Sequence, residues 1–417
     1  AFADPSSWGR SPFRPDVPFE LGDEAVFVGR ESETRARVAR LDEMRGTRGG
    51  LVLISGPSGV GKSSLVRAGL LPRLARPYLF PGIAACRWWV QGFTAGAAED
   101  SPLAVLAGGL LRPEVLGGPL RGFGLDRQAL ARLLANEPAV AADQIQAALA
   151  AGLTDTADPA REGSTQLALV LDPLDGLLRA PLRDRPETQA FSAALAELAG
   201  RDGIWIVATL RADLLRRLSD LPSLAGLLDA AAHLPIAPPP AARIRQVMEI
   251  PARVAGIELE TPEETAGRGL TEWLEAEAAA LEHWPPLLEA TLDALLAMGG
   301  EPAGGQAGAG AEVEPGASHG GRRQLTLAAY RELGGLLGVT LGRADALWGS
   351  LGPEARGALP RLCRALVAVE AGAAARPAPR VGDLLTLALD PSFRRLVDAL
   401  VEARLVTLGG LPDPTAR

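Results

Sequence analysis

Gly56-Pro57-Ser58-Gly59-Val60-Gly61-Lys62-Ser63 fits the pattern G-x-x-x-x-G-K-[ST] with no slack, and Ser64 adds a second hydroxyl. Residues of these types at this spacing bind phosphate. Glycines let the loop bend and bring main-chain N–H groups close to phosphate oxygens. A helix that starts where the loop ends adds its partial positive charge. Lys62 places a point charge on the β- and γ-phosphates, and Ser63 offers a hydroxyl to Mg²⁺. Lys62 is also the sole lysine among 42 basic residues; all the others are arginine. A compact ammonium has survived only where a planar guanidinium is no substitute.

Such a loop works only between a strand and a helix. Leu51–Ser55 is a short apolar run that reads as a buried strand, and Leu65, Val66, Ala68, Gly69 and Leu70 continue as a helix. Three further runs read as strands: Gly82–Phe93, Leu167–Leu171 and Gly203–Leu210. A shorter one at Ala230–Ile236 completes five. Leu167–Leu171 is unbroken by polar residues, as in a parallel strand covered on both faces. Helical patterns between the strands make this an α/β chain with a doubly wound parallel sheet, its ligand at the carboxyl ends of the strands.

Those ends carry the remaining candidates. Asp172 closes Leu167–Leu171, and its strand is expected beside the phosphate-loop strand, where an acid serves Mg²⁺ directly or through another ligand. Asp175 follows three residues on. It is either a solvated turn acid or the group that orients or deprotonates an attacking water. Arg211 stands at the tip of Gly203–Leu210, either as an exposed cap or reaching a γ-phosphate bidentately. Trp88 and Trp89 read as core or strand-face aromatics, not as a stacking platform.

The 417 residues allow several domains, and the net charge of −8 supplies no global field for nucleic acid or an anionic membrane. Cys86 and Cys363 lie far apart and suggest neither metal spacing nor a disulfide framework. A reducing, cytoplasmic setting fits. No uncharged run approaches the roughly 18 residues of a membrane helix. The N-terminus, with Asp4 and several prolines, does not read as a signal peptide; a start at Ala1 suits a processed protein or a segment of a longer one.

Along the chain, 1–25 reads as an extended lead-in and 26–236 as the sheet-bearing core. Residues 237–298 form a helical lobe. Gly299–Gly321, nearly free of bulky apolar residues, reads as a disordered loop. In 322–417 a helix followed by a short strand suggests a winged-helix-like module. Arg394 and Arg395 share that helix with Asp398 and Glu402, which disfavours DNA readout. His233, His283 and His319 are isolated from other metal-ligand types.

In combination the chain resembles the STAND class of P-loop ATPases, in particular its bacterial conflict-system subfamily. Ser11–Glu20 looks like that subfamily's proline-rich lead, and Phe27–Glu31 like the segment along the adenine. The phosphate loop with its continuation to Pro72 and Thr209–Leu214 follow in order. So do Ile250-Pro251-Ala252 with Gly256, Pro286–Glu289, and Leu325-Thr326 with Tyr330 and Gly334-Gly335. The resemblance implies a P-loop NTPase sheet followed by a helical lobe and a winged-helix-like module. Val28, Gly29 and Arg30 would line the adenine side, Gly56–Ser64 would hold phosphates, Ser63 and Asp172 would hold Mg²⁺, and Arg211 would sense the γ-phosphate. Pro286 would touch the adenine and couple the helical lobe to nucleotide state. Such proteins are switches: ADP holds a closed monomer, ATP permits opening and oligomerisation, and sensor and effector modules share the polypeptide.

Two departures bear on rate and sensing. The family's acidic pair after the Mg²⁺ aspartate falls on Asp175 and Gly176, so one acid is short and the other is absent. Slow hydrolysis is the expectation, since a misplacement of about 1 Å can cost about 10²-fold. Many relatives set a winged-helix histidine against the β-phosphate, yet no histidine lies in 322–417, leaving Arg380 or backbone groups. The competing readings are a DNA-associated AAA+-type ATPase, a small-molecule kinase, and a scaffold with a dead phosphate loop. Salt-sensitive duplex binding would favour the first.

Overall fold

A computed structural model describes residues 11–44, 50–76, 83–93, 101–152, 163–178, 185–228, 232–265, 267–281, 284–299, 301–302, 323–369, 377–379, 390–403 and 405. Most of the loop expected at 299–321, together with Arg380, His283 and His319, lies outside them. The chain divides into two compact units, Ala1–Leu327 and Ala328–Arg417.

The first unit is built on one sheet. Its strands are β1 (Gly50–Gly56), β2 (Ile83–Gln91), β3 (Ser164–Leu171), β4 (Ile204–Arg211) and β5 (Ala232–His233). They run in the order β2-β3-β4-β1-β5, and every pair is parallel. All five expected strands are present, but one expectation about their neighbours fails. The strand ending at Asp172 is not beside the phosphate-loop strand, because β4 lies between them. Lateral order is set by long-range pairing, which short apolar runs do not encode.

Side chains alternate across the sheet as a period of two demands. Leu51, Leu53, Leu167, Leu169, Ile206 and Ala208 share one core; Val52, Ile54, Ala168, Val170, Trp205 and Val207 share another. Both faces are covered, so the strands read as continuous apolar runs. Each such leucine or isoleucine taken from water contributes about 1.5–3 kcal/mol.

Helix α1 (Glu31–Glu43) precedes β1. The phosphate-loop helix begins as α2 (Lys62–Ser64), widens to a π-helical Leu65–Leu70 and resumes as α3 (Leu71–Leu74). Between β2 and β3 come α4 (Pro102–Leu110), α5 (Gly117–Gly122), α6 (Arg127–Asn136) and α7 (Pro138–Ala151). Asp126 caps α6 by accepting from the Ala129 N–H at 2.7 Å. Next come α8 (Pro186–Ala199) and α9 (Pro222–Leu228).

The helical lobe holds α10 (Ile244–Val254), α11 (Pro262–Thr265), α12 (Leu270–Ala279) and α13 (Trp284–Ala297). It also carries a small sheet the sequence reading lacked: β6 (Ile257–Leu259), β7 (Glu301–Pro302) and β8 (Arg323–Leu325), in the order β6-β8-β7.

The second unit, where the sequence suggests a winged-helix-like module, is mostly helical. It comprises α14 (Leu327–Leu333, whose first residue belongs to the first unit), α15 (Gly338–Ser350), α16 (Pro353–Leu366) and α17 (Pro391–Glu402). An antiparallel ribbon of β9 (Val367–Val369) and β10 (Pro377–Pro379) completes it. The ribbon sits between α16 and α17, whereas the sequence pattern had placed its short strand after the last helix; residues 406–417 lie outside the described set. Ala358, Leu362, Phe393 and Leu396 form this unit's own core.

Candidate functional site

The loop leaving β1 takes the shape its glycines permit. Gly59 and Gly61 adopt φ of +74° and +92°, which L side chains rarely tolerate. The chain then enters the helix at Lys62. The Lys62 ammonium folds back and donates to the carbonyls of Gly56 (3.0 Å) and Pro57 (2.8 Å). Burial lowers its pKa from the ordinary lysine value; Asp175 and Asp172 oppose that shift, and Arg211 adds to it. An ammonium so placed gains from any phosphate that enters.

Asp172 is fully buried and saturated with donors. Its Oδ1 accepts from Ser63 Oγ at 2.7 Å and from Thr209 Oγ1 at 2.6 Å. Its Oδ2 accepts from Arg67 Nε at 2.7 Å, and Arg67 Nη2 reaches the Asp172 carbonyl at 3.3 Å. Arg67 Nη1 also donates to Glu20 at 2.6 Å. Neither Arg67 nor Thr209 was singled out from sequence. A signal for Arg67 existed, since it stands four residues after Ser63 and so lies on the same helical face.

Arg211 closes β4 directly opposite Gly56. Its guanidinium holds Asp213 bidentately, at 2.9 and 3.0 Å, and its main-chain N–H donates to Asp175 Oδ1 at 3.0 Å. Asp175 opens a 3₁₀ turn, Asp175–Leu178.

A cavity of about 370 Å³ opens over these groups. Ser58–Ser64, Asp175, Thr209 and Arg211 line one side of it. Val26–Val28, Arg30, Val247 and Trp284–Pro286 also line it. So do Arg14–Phe19 of the lead-in and Glu289 of α13, none of which was read from sequence as part of the site. Of the sequence candidates, Val28, Arg30, Ser58–Ser64, Asp175, Arg211 and Pro286 therefore meet in one space. Gly29, Gly56, Pro57 and Asp172 stand behind that lining.

The guanidinium of Arg30 is spent on the protein. It donates to Glu33 (2.7 Å), to the Ala237 carbonyl (2.8 Å) and to the Val60 carbonyl (2.9 Å), and so ties α1 to the phosphate loop. Gly29, at φ +84°, turns the chain into α1, and its N–H donates to Glu31 at 2.8 Å. A Cβ placed on Gly59 would lie 3.7 Å from Pro286 Cγ, so loop and helical lobe are within van der Waals reach.

The lead-in is anchored at both ends. The Phe19 N–H donates to Ser64 Oγ (3.2 Å), and the Arg14 N–H to Glu289 Oε2 (2.9 Å). Arg14's guanidinium donates to Asp23 (3.2 and 2.9 Å), and Phe13 is buried. Among the described residues, no group of His, Cys, Asp and Glu is arranged to hold a metal ion alone, and no helix is long and apolar enough to cross a membrane.

The family model of the novel STAND NTPase 1 matches residues 12–412, nearly the whole chain. This chain belongs to that family. It is therefore an NTPase module of the STAND type, and the loop around Lys62 carries the G-x-x-x-x-G-K-[ST] pattern. No curated protein sequence matches this STAND NTPase. Similar solved structures include the Aeropyrum pernix ORC2 protein in ADPNP–ADP complexes, at 15% identity and a TM-score of 0.39, covering 69% of this chain and 66% of that one. Drosophila ORC bound to DNA gives 16%, 0.42, 71% and 60% for the same quantities. Cdc6p from Pyrobaculum aerophilum gives 16%, 0.33, 69% and 63%. This STAND NTPase thus spans between three-fifths and two-thirds of the length of those chains.

Proposed function

We propose that this module is an ATP- and ADP-controlled switch that hydrolyses ATP slowly. In this reading it works in the cytoplasm within a longer bacterial defence or regulatory protein whose sensor and effector modules share the polypeptide. One observation carries it. The phosphate loop, the lead-in and the helical lobe of the first unit wall one and the same cavity. A nucleotide there touches three separately anchored segments, and a ligand shifts an equilibrium only through such differential contacts.

Lys62 and the main-chain N–H groups of Gly59–Ser64 bind the β- and γ-phosphates. Arg211, leaving Asp213, registers the γ-phosphate. Val28, with Trp284–Pro286, packs on the base. Mg²⁺ fits the residues present. Ser63 lines the cavity, and because its hydroxyl proton goes to Asp172, its lone pairs are free for a hard cation. Ser63 would hold the ion, with Asp172 behind it holding Ser63. The ion would supply charge neutralisation at the phosphate oxygens. Slow turnover follows from Asp175, whose Oδ1 is engaged by the Arg211 N–H, and from Gly176, which offers no second acid. Opening on ATP would allow homo-oligomerisation. No membrane or nucleic-acid partner belongs to this reading, since α17 mixes Arg394 and Arg395 with Asp398 and Glu402.

The test is the nucleotide content and solution mass of the purified chain, wild type against Lys62→Ala. Retained ADP in a wild-type monomer, absent from the variant, is expected. A wild-type chain without bound nucleotide or ATP affinity would overturn the switch. Turnover of about 1 s⁻¹ or faster, near ordinary enzyme rates, would overturn its slowness.

A further inference from the structure

Arg30, at the N-cap of α1, and Arg37, within it, are each 5% exposed. Both donate to the main chain that joins β5 to the helical lobe. Arg37 Nη2 reaches the carbonyls of Leu234 (2.9 Å) and Pro235 (3.1 Å). Arg30 Nη1 reaches that of Ala237 (2.8 Å), while its Nη2 reaches that of Val60 in the phosphate loop (2.9 Å). One guanidinium thus holds the phosphate loop and the entry to the lobe together. The joint is also pinned from the sheet. The N–H groups of Leu234 and Ile236 donate to the carbonyls of Leu53 and Ser55, both at 2.8 Å. A Cβ on Gly56 would fall 2.6 Å from the Ile236 carbonyl oxygen, so the start of the phosphate loop and the joint leave no room for a methyl group between them. Beyond Ala237 come Pro238, Pro239 and Pro240, whose rings fix φ and stiffen the link. The Pro239 carbonyl accepts from Trp284 Nε1 at the start of α13 (3.3 Å), and the Pro240 carbonyl from the Arg243 N–H just ahead of α10 (2.8 Å).

We propose that Arg30 is a positioning residue: it holds the Val60–Gly61 peptide ready for phosphate and carries that peptide's state through Ala237 to α10 and α13. This deepens the reading that the cavity holds a nucleoside phosphate, and rests on it. The argument starts from peptide geometry. The Val60 carbonyl and the Gly61 N–H are two ends of one rigid plane. Gly61 lines the cavity. A guanidinium fixed on the oxygen sets the plane, and with it the direction of the N–H. A charge-assisted bond to that oxygen also polarises the amide and makes the N–H a stronger donor to an anion. A phosphate that draws the Gly61 N–H turns the same plane and moves the Val60 oxygen. The fork on that oxygen is planar and rigid, and its other arm is on Ala237, so a shift at one carbonyl is passed to the other. The coupling is reciprocal: a lobe that pulls Ala237 away loosens the phosphate loop. Arg30 spends these donors on Glu33, Ala237 and Val60, so its task is to place the loop rather than to touch the base.

The experiment combines ADP calorimetry with hydrogen–deuterium exchange, with and without saturating ADP, on the full chain as wild type, Arg30→Met, Arg30→Lys and Glu33→Gln. In the wild type ADP should slow exchange both in the phosphate loop and at 241–254. Arg30→Met should weaken ADP binding at least about tenfold, the value of one charge-assisted hydrogen bond. At saturating ADP its phosphate loop should still be protected, while the ADP-dependent slowing at 241–254 should be lost. Glu33→Gln, whose amide oxygen still accepts from Arg30, should behave as the wild type. A merely structural arginine gives a different result: Arg30→Met then loosens 241–254 equally with and without ADP, and the ADP-dependent difference stays. That result, or a wild type in which ADP leaves 241–254 unchanged, would overturn the proposal. If Arg30→Met does not fold, Arg30→Lys decides, because it keeps the charge and gives up the fork. It should lose at least half of the ADP-dependent protection at 241–254, and full retention would overturn the proposal. These outcomes refute the role of Arg30 only. A wild type that does not bind ADP, or binding that Lys62→Ala leaves unchanged, would refute the nucleotide site itself.

Discussion

Replacing Arg67 by leucine removes the ion-pair partner of a fully buried carboxylate. Asp172 would keep its bonds from Ser63 and Thr209, but Oδ2, bonded to Arg67 Nε at 2.7 Å, would lose its donor. Removing one partner of a buried pair costs about 3–5 kcal/mol. The Arg67 side chain is 24% exposed, so water screens part of this, and about 2–3 kcal/mol is the better figure. The decisive assay is a double-mutant cycle with Asp172→Asn, read from thermal unfolding of the first unit's transition in the full chain. Asparagine removes the stranded charge, so Arg67→Leu should cost at least about 1 kcal/mol less in the Asp172→Asn background. Additive effects, or an Arg67→Leu chain that melts with the wild type, would refute the claim that this guanidinium neutralises Asp172.

Other outcomes follow from the same geometry. Lys62→Arg keeps the charge but should lower ADP affinity more than about tenfold by calorimetry, because a planar fork does not fit where an ammonium lies between the Gly56 and Pro57 carbonyls. Gly59→Ala should cost about 1–2 kcal/mol locally at φ +74° and weaken nucleotide binding; unchanged affinity would show that the loop tolerates another shape. Arg211→Ala should narrow the difference between ATP and ADP affinity, which titration of both nucleotides measures. Glu289, raised from 4.5 to about 8, holds a proton in the folded chain that the unfolded chain releases, so its contribution to stability is full below pH 4.5 and declines as pH rises through 8. Glu289→Gln should therefore flatten the wild-type fall in stability between pH 5 and pH 8 by up to about 1.4 kcal/mol per pH unit. Parallel denaturation curves for the two chains across that range would contradict it.

What was legible in the sequence was local. The phosphate loop is a contiguous pattern, and the central strands β1, β3 and β4 each carry a short apolar run, so both could be read without knowing the fold. Asp172 was found because it ends such a run. Its neighbourhood was not legible. That β4 lies between β1 and β3, and that Thr209 therefore reaches Asp172, depends on pairings between residues far apart in the chain. Arg30 was assigned to the adenine side from a resemblance, yet its three bonds to protein groups come from segments more than 20 residues away as well as from its own helix. Glu289 could have been suspected, since it is an acid beside Leu288 and one turn before Leu292 and Asp293, on a helix buried along the Leu288–Leu292 stripe. Position in sequence alone does not reveal that it faces a cavity.

The stretch from Ser11 to Glu20 has a practical bearing on how this protein is handled. It contributes no strand to the sheet and precedes the phosphate-loop pattern by more than 30 residues, so a boundary drawn just upstream of Val26 looks harmless. Such a trimmed protein would keep its β-sheet yet lose the side of the cavity built by Arg14–Phe19, the bond on Ser64 and the outer hold on Arg67. A shortened version that binds nothing would then report on a missing wall rather than on an inert NTPase.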